Sequence, residues 1–160
     1  MTKIFRPNFD EVKHKVELAL HLLYRNDHFL ITNSTNERSI THKFAECIQR
    51  YFDEWHVDCE YNRLGKYLPK SLLQQKTSYP DIIIHKRNTN ENLLIIEAKS
   101  IHSQDHSDKA DKGKVKSFIE DKNYFYSFGL WICFYDELSE TILDWFERRN
   151  GSCIKVEVDE

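Results

Sequence analysis

Little in this chain breaks or cross-links a backbone. Its 160 residues hold four glycines, three prolines and four cysteines. The glycines, Gly65, Gly113, Gly129 and Gly151, stand far apart. They form neither a Walker loop nor a Rossmann pattern, and there is no GxSxG, so a glycine-built phosphate cradle is not expected. No linker rich in Pro, Gly or Ser and no internal repeat divides the chain, so residues 1–160 read as one domain, long enough to bury a core. Cys47, Cys59, Cys133 and Cys153 show no CxxC and no paired Cys/His zinc spacing. Each sits in an apolar context, which points to buried free thiols. No apolar stretch approaches the roughly 18 residues of a membrane span, so no membrane partner is expected. The opening MTKIFRPNFDEVKHK is too charged for a secretory signal, which makes the cytoplasm the expected location. A formal net charge of -3 argues against a strongly basic coat for nucleic acid but leaves room for a local basic groove.

What is present is a globular pattern: 40% hydrophobic and 13% aromatic residues, in apolar runs between polar turns. Helical spacing predicts a first helix over 9–25 (Phe9, Val12, Val16, Leu20, Leu23) and a second over 36–52 (Ile40, Phe44, Cys47, Ile48, Tyr51). A short strand is expected at 57–61, followed by a long polar loop over 62–79. Asp81-Ile82-Ile83-Ile84-His85 and Leu93-Leu94-Ile95-Ile96-Glu97 are continuous apolar runs, the signature of strands covered on both faces. The polar link from Lys86 to Asn92 suits a hairpin turn. A third helix is expected over 109–124, a buried strand over 130–135, a short helix over 138–148 and a last strand over 153–158. The fold class is therefore α/β (α+β), a mixed sheet flanked by helices.

The chemistry-bearing string is Pro80-Asp81, then Glu97-Ala98-Lys99. Glu97 and Lys99, two apart on a strand, point to the same face. In an antiparallel hairpin centred on Thr89, Asp81 lies opposite Glu97, with Cα atoms about 4.5–5.5 Å apart. Two carboxylates this close repel, and one would take up a proton unless a cation joined them. Mg²⁺, with Mn²⁺ as its substitute, resolves the conflict, because it takes hard oxygen ligands and is often held by one or two carboxylates. The Ala98 backbone carbonyl is a candidate further ligand. Lys99 is placed to orient an attacking water, to act as its base, or to balance charge on phosphorus. Glu37 shares a helical stripe with Ile40, Phe44 and Ile48, so its carboxylate faces the sheet. Ser34-Thr35-Asn36-Glu37 also matches a capping box with Ser34 as N-cap, and the two roles are compatible. Taken alone, Pro-Asp is common turn chemistry and Glu-x-Lys a common surface ion pair.

These residues resemble the PD-(D/E)XK nuclease superfamily, the restriction-endonuclease-like fold. The resemblance rests on Glu37 within Asn36-Glu37-Arg38-Ser39-Ile40-Thr41, on Pro80-Asp81, and on Glu97-Ala98-Lys99, and it covers about 36–135. Within the superfamily the chain looks like small uncharacterised bacterial members with a similar Asn-Glu-Arg-Ser-Ile helix. It implies an αβββαβ core, with the first helix and the last helix–strand unit as additions. It also implies an Mg²⁺-dependent endonuclease acting on nucleic acid, with DNA the first expectation. Asp81 and Glu97 would bind the metal, Lys99 would assist the water, and Glu37 would support the site. Asp111-Lys112-Gly113-Lys114-Val115 looks like the start of the helix on which the family often turns a basic residue to phosphate. Lys112 and Lys114 are therefore candidate nucleic-acid contacts, together with Lys76 from the basic cluster Lys66, Lys70 and Lys76. Many small members work as homodimers. No DNA-reading module accompanies the core, which favours a structure-directed or accessory nuclease over sequence-specific restriction.

Other groups read more simply. His102 and His106 are spaced i,i+4 but lie in a polar loop context, and His85 reads as a core or edge histidine. Asp58 and Glu60 are expected to point outward, with Glu60 reaching the site only if its strand is adjacent. The alternatives to an enzyme are a catalytically inactive nuclease-fold protein serving as a nucleic-acid- or protein-binding subunit, or a partner-binding α/β domain carrying the motif by coincidence.

Overall fold

The structure is a computed structural model that describes residues 5–33, 36–61, 63–64, 68–69, 79–105 and 107–159. Helix α1 (Phe9–Thr32) opens on a capping box. The Glu11 N–H donates to Asn8 Oδ1 at 3.0 Å, and the Asn8 N–H donates to Glu11 Oε2 at 2.9 Å, satisfying two otherwise orphan donors. Its buried stripe of Val12, Val16, Ala19, Leu20 and Leu23 is the expected one, but the helix runs past residue 25. The backbone kinks at Asp27 (φ -128°, ψ 24°) and helical structure resumes to bury Ile31. The polar Arg25-Asn26-Asp27-His28 stretch hides that continuation from periodicity. Helix α2 spans Glu37–Gln49.

Strand β1 (His56–Cys59) is followed by a two-residue pair, β2 (Arg63–Leu64) with β3 (Leu68–Pro69). The rest of the expected loop over 62–79 lies largely outside the described residues. Strands β4 (Ile82–His85) and β5 (Asn92–Ser100) precede helix α3 (Asp108–Glu120), and β6 (Phe128–Phe134), β7 (Ile142–Arg149) and β8 (Ser152–Val156) complete the chain. Six of these strands form one sheet in the order β1-β4-β5-β6-β7-β8. Only β5 and β6 run parallel, because α3 carries the chain back between them. No helix among the described residues is long and apolar enough to cross a membrane.

The short helix expected over 138–148 is not there. A 3-10 turn at Leu138–Glu140 leads straight into β7. Leu138, Ile142 and Phe146 match a helical period, yet Leu143 and Trp145 pack toward α1 while Phe146 packs toward α3, which is strand alternation. The decisive signal is Asn150-Gly151, where φ is 50° and 80°. Two left-handed residues between the paired Arg149 and Ser152 make a tight hairpin turn, which requires a strand on each side. The C-terminal addition is therefore a β7–β8 hairpin, and the expected helix–strand unit is corrected.

The sheet has two unlike faces. Ile82, Ile84, Leu94, Ile96, Ala98, Leu130, Ile132 and Phe134 join α1 and α2 in the larger core. On the opposite face Ile83 and Ile95 meet Val115, Phe118 and Ile119 of α3, with Tyr124 and Tyr126. Gly129 lets α3 come this close. A Cβ there would lie 2.4 Å from Val115 Cγ1 and 2.6 Å from Ile119 Cδ1. Gly129→Ala is expected to destabilise by about 1–3 kcal/mol, the usual cost of overpacking, as read by urea unfolding. A cost below about 0.5 kcal/mol, the range of neutral surface changes, would mean that α3 does not seat on the sheet through this gap.

Candidate active site at the end of the central hairpin

The β4–β5 register pairs Ile82 with Ile96, Ile83 with Ile95 and Ile84 with Leu94, the alignment a centre at Thr89 predicts, but it shifts by one residue toward the turn, where His85 pairs with Asn92. Extended by one residue, it sets Asp81 against Glu97. Pro80 has no N–H to contribute to the ladder, and here side chains take over. The Ala98 N–H donates to Asp81 Oδ2 at 2.9 Å, and the Asp81 N–H donates to Glu97 Oε1 at 3.3 Å. Each carboxylate thus holds the other residue's strand in place. Glu97 and Lys99 share the α3 face with Ile95, while Ala98 turns its methyl into the larger core.

Glu97 is only 3% exposed and lies in register beside Trp131. Burial first, and then the neighbouring Asp81 charge, push its pKa well above the ordinary glutamate value against the pull of Lys114. Asp81 is raised as well, mainly by burial, with the Ala98 N–H and Lys114 working the other way. Glu37, at the first turn of α2, comes to the same end of β5, where its Oε2 accepts the Ser100 N–H at 3.0 Å. Burial raises its pKa, partly offset by that bond and by Lys99. The cap itself is Asn36, whose Oδ1 accepts the Arg38 N–H at 2.8 Å. Ser34, the expected N-cap, lies outside the described residues, and Glu37 bonds the sheet.

Helix α3 supplies what the motif string omits. Lys99 Nζ lies 3.2 Å from Asp111 and 3.3 Å from Asp105. Burial opposes the charge on Lys99, but these pairs and Glu37 outweigh it and leave its pKa raised. Lys114 Nζ lies 2.9 Å from Glu97 Oε1 and donates to the Tyr79 carbonyl at 2.5 Å. Glu97 and Lys99 on the strand thus face Lys114 and Asp111 on the helix, a square of alternating charge. Asp111, Asp105 and the Tyr79 carbonyl are the participants that the sequence did not single out. The spacing of Asp111 and Lys114, three apart on a helix and so on one face, was the available signal. Lys112 stands elsewhere, 2.6 Å from Asp144 and over the Trp131 ring. Lys76 lies outside the described residues.

The Asp58 expectation is corrected. Its carboxylate does not point outward but is held by His85 Nε2 at 2.7 Å and by the Arg87 guanidinium. His85 and Arg87 hold its pKa below the ordinary aspartate range despite burial. Strand β1 does pair with β4, and the Glu60 N–H donates to the Asp81 carbonyl at 3.2 Å. The Glu60 carboxylate pairs with Arg38 at 3.0 Å. The pair lines a cavity of about 450 Å³ together with Glu37, Thr41, His42 and Asp81, with Asn36 and Cys59. His102 bonds Asp136 at 2.6 Å, and His106 lies outside the described residues. All four cysteines are free, Cys47 and Cys133 buried and Cys59 and Cys153 half-buried.

Among the described residues no group of three or more His, Cys, Asp or Glu side chains is arranged to hold a metal ion. The Asp81–Glu97 pair nevertheless has the donor chemistry of a Mg²⁺ site, since that ion is regularly held by one or two carboxylates with water and phosphate oxygens. Five carboxylates (Glu37, Asp81, Glu97, Asp105, Asp111) surround two ammonium groups, Lys99 and Lys114. No family model, no curated protein and no solved structure matches the chain.

Because the folded-state pKa of Glu97 is raised, the native state keeps a proton that the unfolded chain gives up. The stability this contributes is complete below the ordinary glutamate pKa and is lost as pH rises through the raised value. In unfolding titrations without divalent cations from about pH 5 to about pH 8, Glu97→Gln should gain on wild type as pH rises. A difference that stays flat across this range would remove the strained carboxylate.

Proposed function

We propose that this protein is a divalent-cation-dependent phosphodiesterase that cleaves nucleic acid, with DNA as the substrate. The observation that carries the reading is the convergence of Asp81, Glu97 and Lys99 on one face at the end of β5, interlocked through the Ala98 and Asp81 N–H groups. The resemblance of these residues to the PD-(D/E)XK pattern supports the same chemistry. When bound, Mg²⁺ supplies a Lewis acid for a phosphoryl oxygen and lowers the pKa of water.

The chain's own residues supply the rest. Asp81 and Glu97 would hold the ion, and Glu37 ties α2 to the strand end beside them. Lys99, kept as an ammonium by Asp105 and Asp111, orients the attacking water and balances charge on the phosphoryl group. Water oxygen bonds to phosphorus as its proton passes to solvent, the P–O bond to the leaving sugar oxygen breaks, and that oxygen takes up a proton from solvent. Arg38 and His42 line the adjoining cavity. The Arg38–Glu60 pair is largely exposed and of a kind worth about 0–1 kcal/mol, so an incoming phosphate can displace Glu60 at little cost.

A second reading is a nuclease-fold binding subunit without turnover. It is favoured by one observation: Lys99 is held by two carboxylates at once. The assay that separates them uses linear, supercoiled, branched and single-stranded DNA with Mg²⁺ or Mn²⁺. Under the enzymatic reading Asp81→Ala and Lys99→Ala each lower cleavage at least about 10²-fold, the usual scale for losing one such catalytic group, with folding retained by circular dichroism. Cleavage that survives both changes would come from another protein. Binding of Mn²⁺ and DNA with no cleavage of any substrate would select the subunit reading.

A further inference from the structure

Lys114 has two partners of unequal weight. Its ammonium lies 2.9 Å from Glu97 Oε1 and 2.5 Å from the Tyr79 carbonyl. Glu97 is fixed in a central strand with 4% of its side chain exposed, whereas the Lys114 side chain is 20% exposed. A lysine on a four-carbon stem can swing its ammonium out to water, while a strand carboxylate flanked on both sides cannot follow. Lys99 does not share the task, because Asp105 and Asp111 hold it. Among the described residues Lys114 is the one cation on the Asp81–Glu97 pair. One positive charge there faces two buried carboxylates.

We infer that Lys114 is the resident counter-cation of the Asp81–Glu97 pair, a positioning residue that leaves Glu97 when a divalent cation binds. The inference rests on the cation-dependent reading above and adds to it how the site is held without its ion. Like charges repel at such short range, so an ammonium and a divalent ion do not share Glu97 Oε1. The exchange keeps the carboxylate pair compensated before loading and sets the affinity for the ion. Lys114 also belongs to the helix that Gly129 seats on the sheet, so the seating of α3 and the loading of the site are coupled.

Calorimetric titration of the full chain with Mn²⁺ tests this with wild type, Lys114→Met and Lys114→Arg. Loss of the competing charge should tighten Mn²⁺ binding about tenfold in Lys114→Met, while the charge-retaining Lys114→Arg stays near wild type. A Lys114→Met affinity equal to or weaker than wild type overturns the inference and leaves the cation-dependent reading standing. No Mn²⁺ uptake by wild type overturns that reading, and the inference with it. A second measurement needs no variant. The rate of acetylation of Lys114 in wild type, read by mass spectrometry with Lys116 as reference, should rise several-fold at saturating Mn²⁺. An unchanged or lower rate overturns the exchange.

Discussion

A carboxylate removed from water is the constraint around which this structure is arranged. Glu97 lies at the end of the central strand, almost without solvent, next to a second carboxylate. Burying one ionised group costs several kcal/mol unless it is paired and hydrogen-bonded. The fold answers with the Asp81 N–H and the Lys114 ammonium on Glu97, with the Ala98 N–H on Asp81, and with the Ser100 N–H on Glu37. Three main-chain donors at a strand end thus go to side chains, which ties the hairpin register to the positions of the acids. A one-residue slip would turn Glu97 into the larger core.

Helix α3 couples this site to packing. Its C-terminal half, Val115, Phe118 and Ile119, seats on Ile83 and Ile95 over the gap left by Gly129. Its N-terminal half carries Asp111 and Lys114 to Lys99 and Glu97. Apolar contact and ion pairing therefore divide one helix along its length, and the first places the second.

The central hairpin was legible because both runs are continuously apolar and a polar link joins them. The Ile82–Ile96 pairing matches a centre at Thr89, but the turn itself pairs His85 with Asn92, and a one-residue register shift between Ile84 and His85 is what brings Asp81 opposite Glu97. Glu37 was legible as a residue facing the sheet, though its bond to Ser100 was not. The stretch 138–148 misled because Leu138, Ile142 and Phe146 satisfy a helical period by accident, whereas Asn150-Gly151 dictates a hairpin. Asp58 misled for a related reason: alternation assigns a face, but whether that face is solvent depends on what Arg87 and His85 do across the sheet.

By itself, the sequence determined the elements whose signals are local: two amphipathic helices and a buried antiparallel hairpin with a carboxylate at the outer end of each strand. Periodicity and turn chemistry act over a few residues, so they can be read without the fold. Only the tertiary structure decided the partners. That Lys114 rather than Lys99 neutralises Glu97, that Asp111 and Asp105 hold Lys99, and that Lys112 turns to Asp144 follow from how α3 docks. That docking depends on complementary volume at Gly129, a property of two surfaces far apart in the chain that no local pattern encodes.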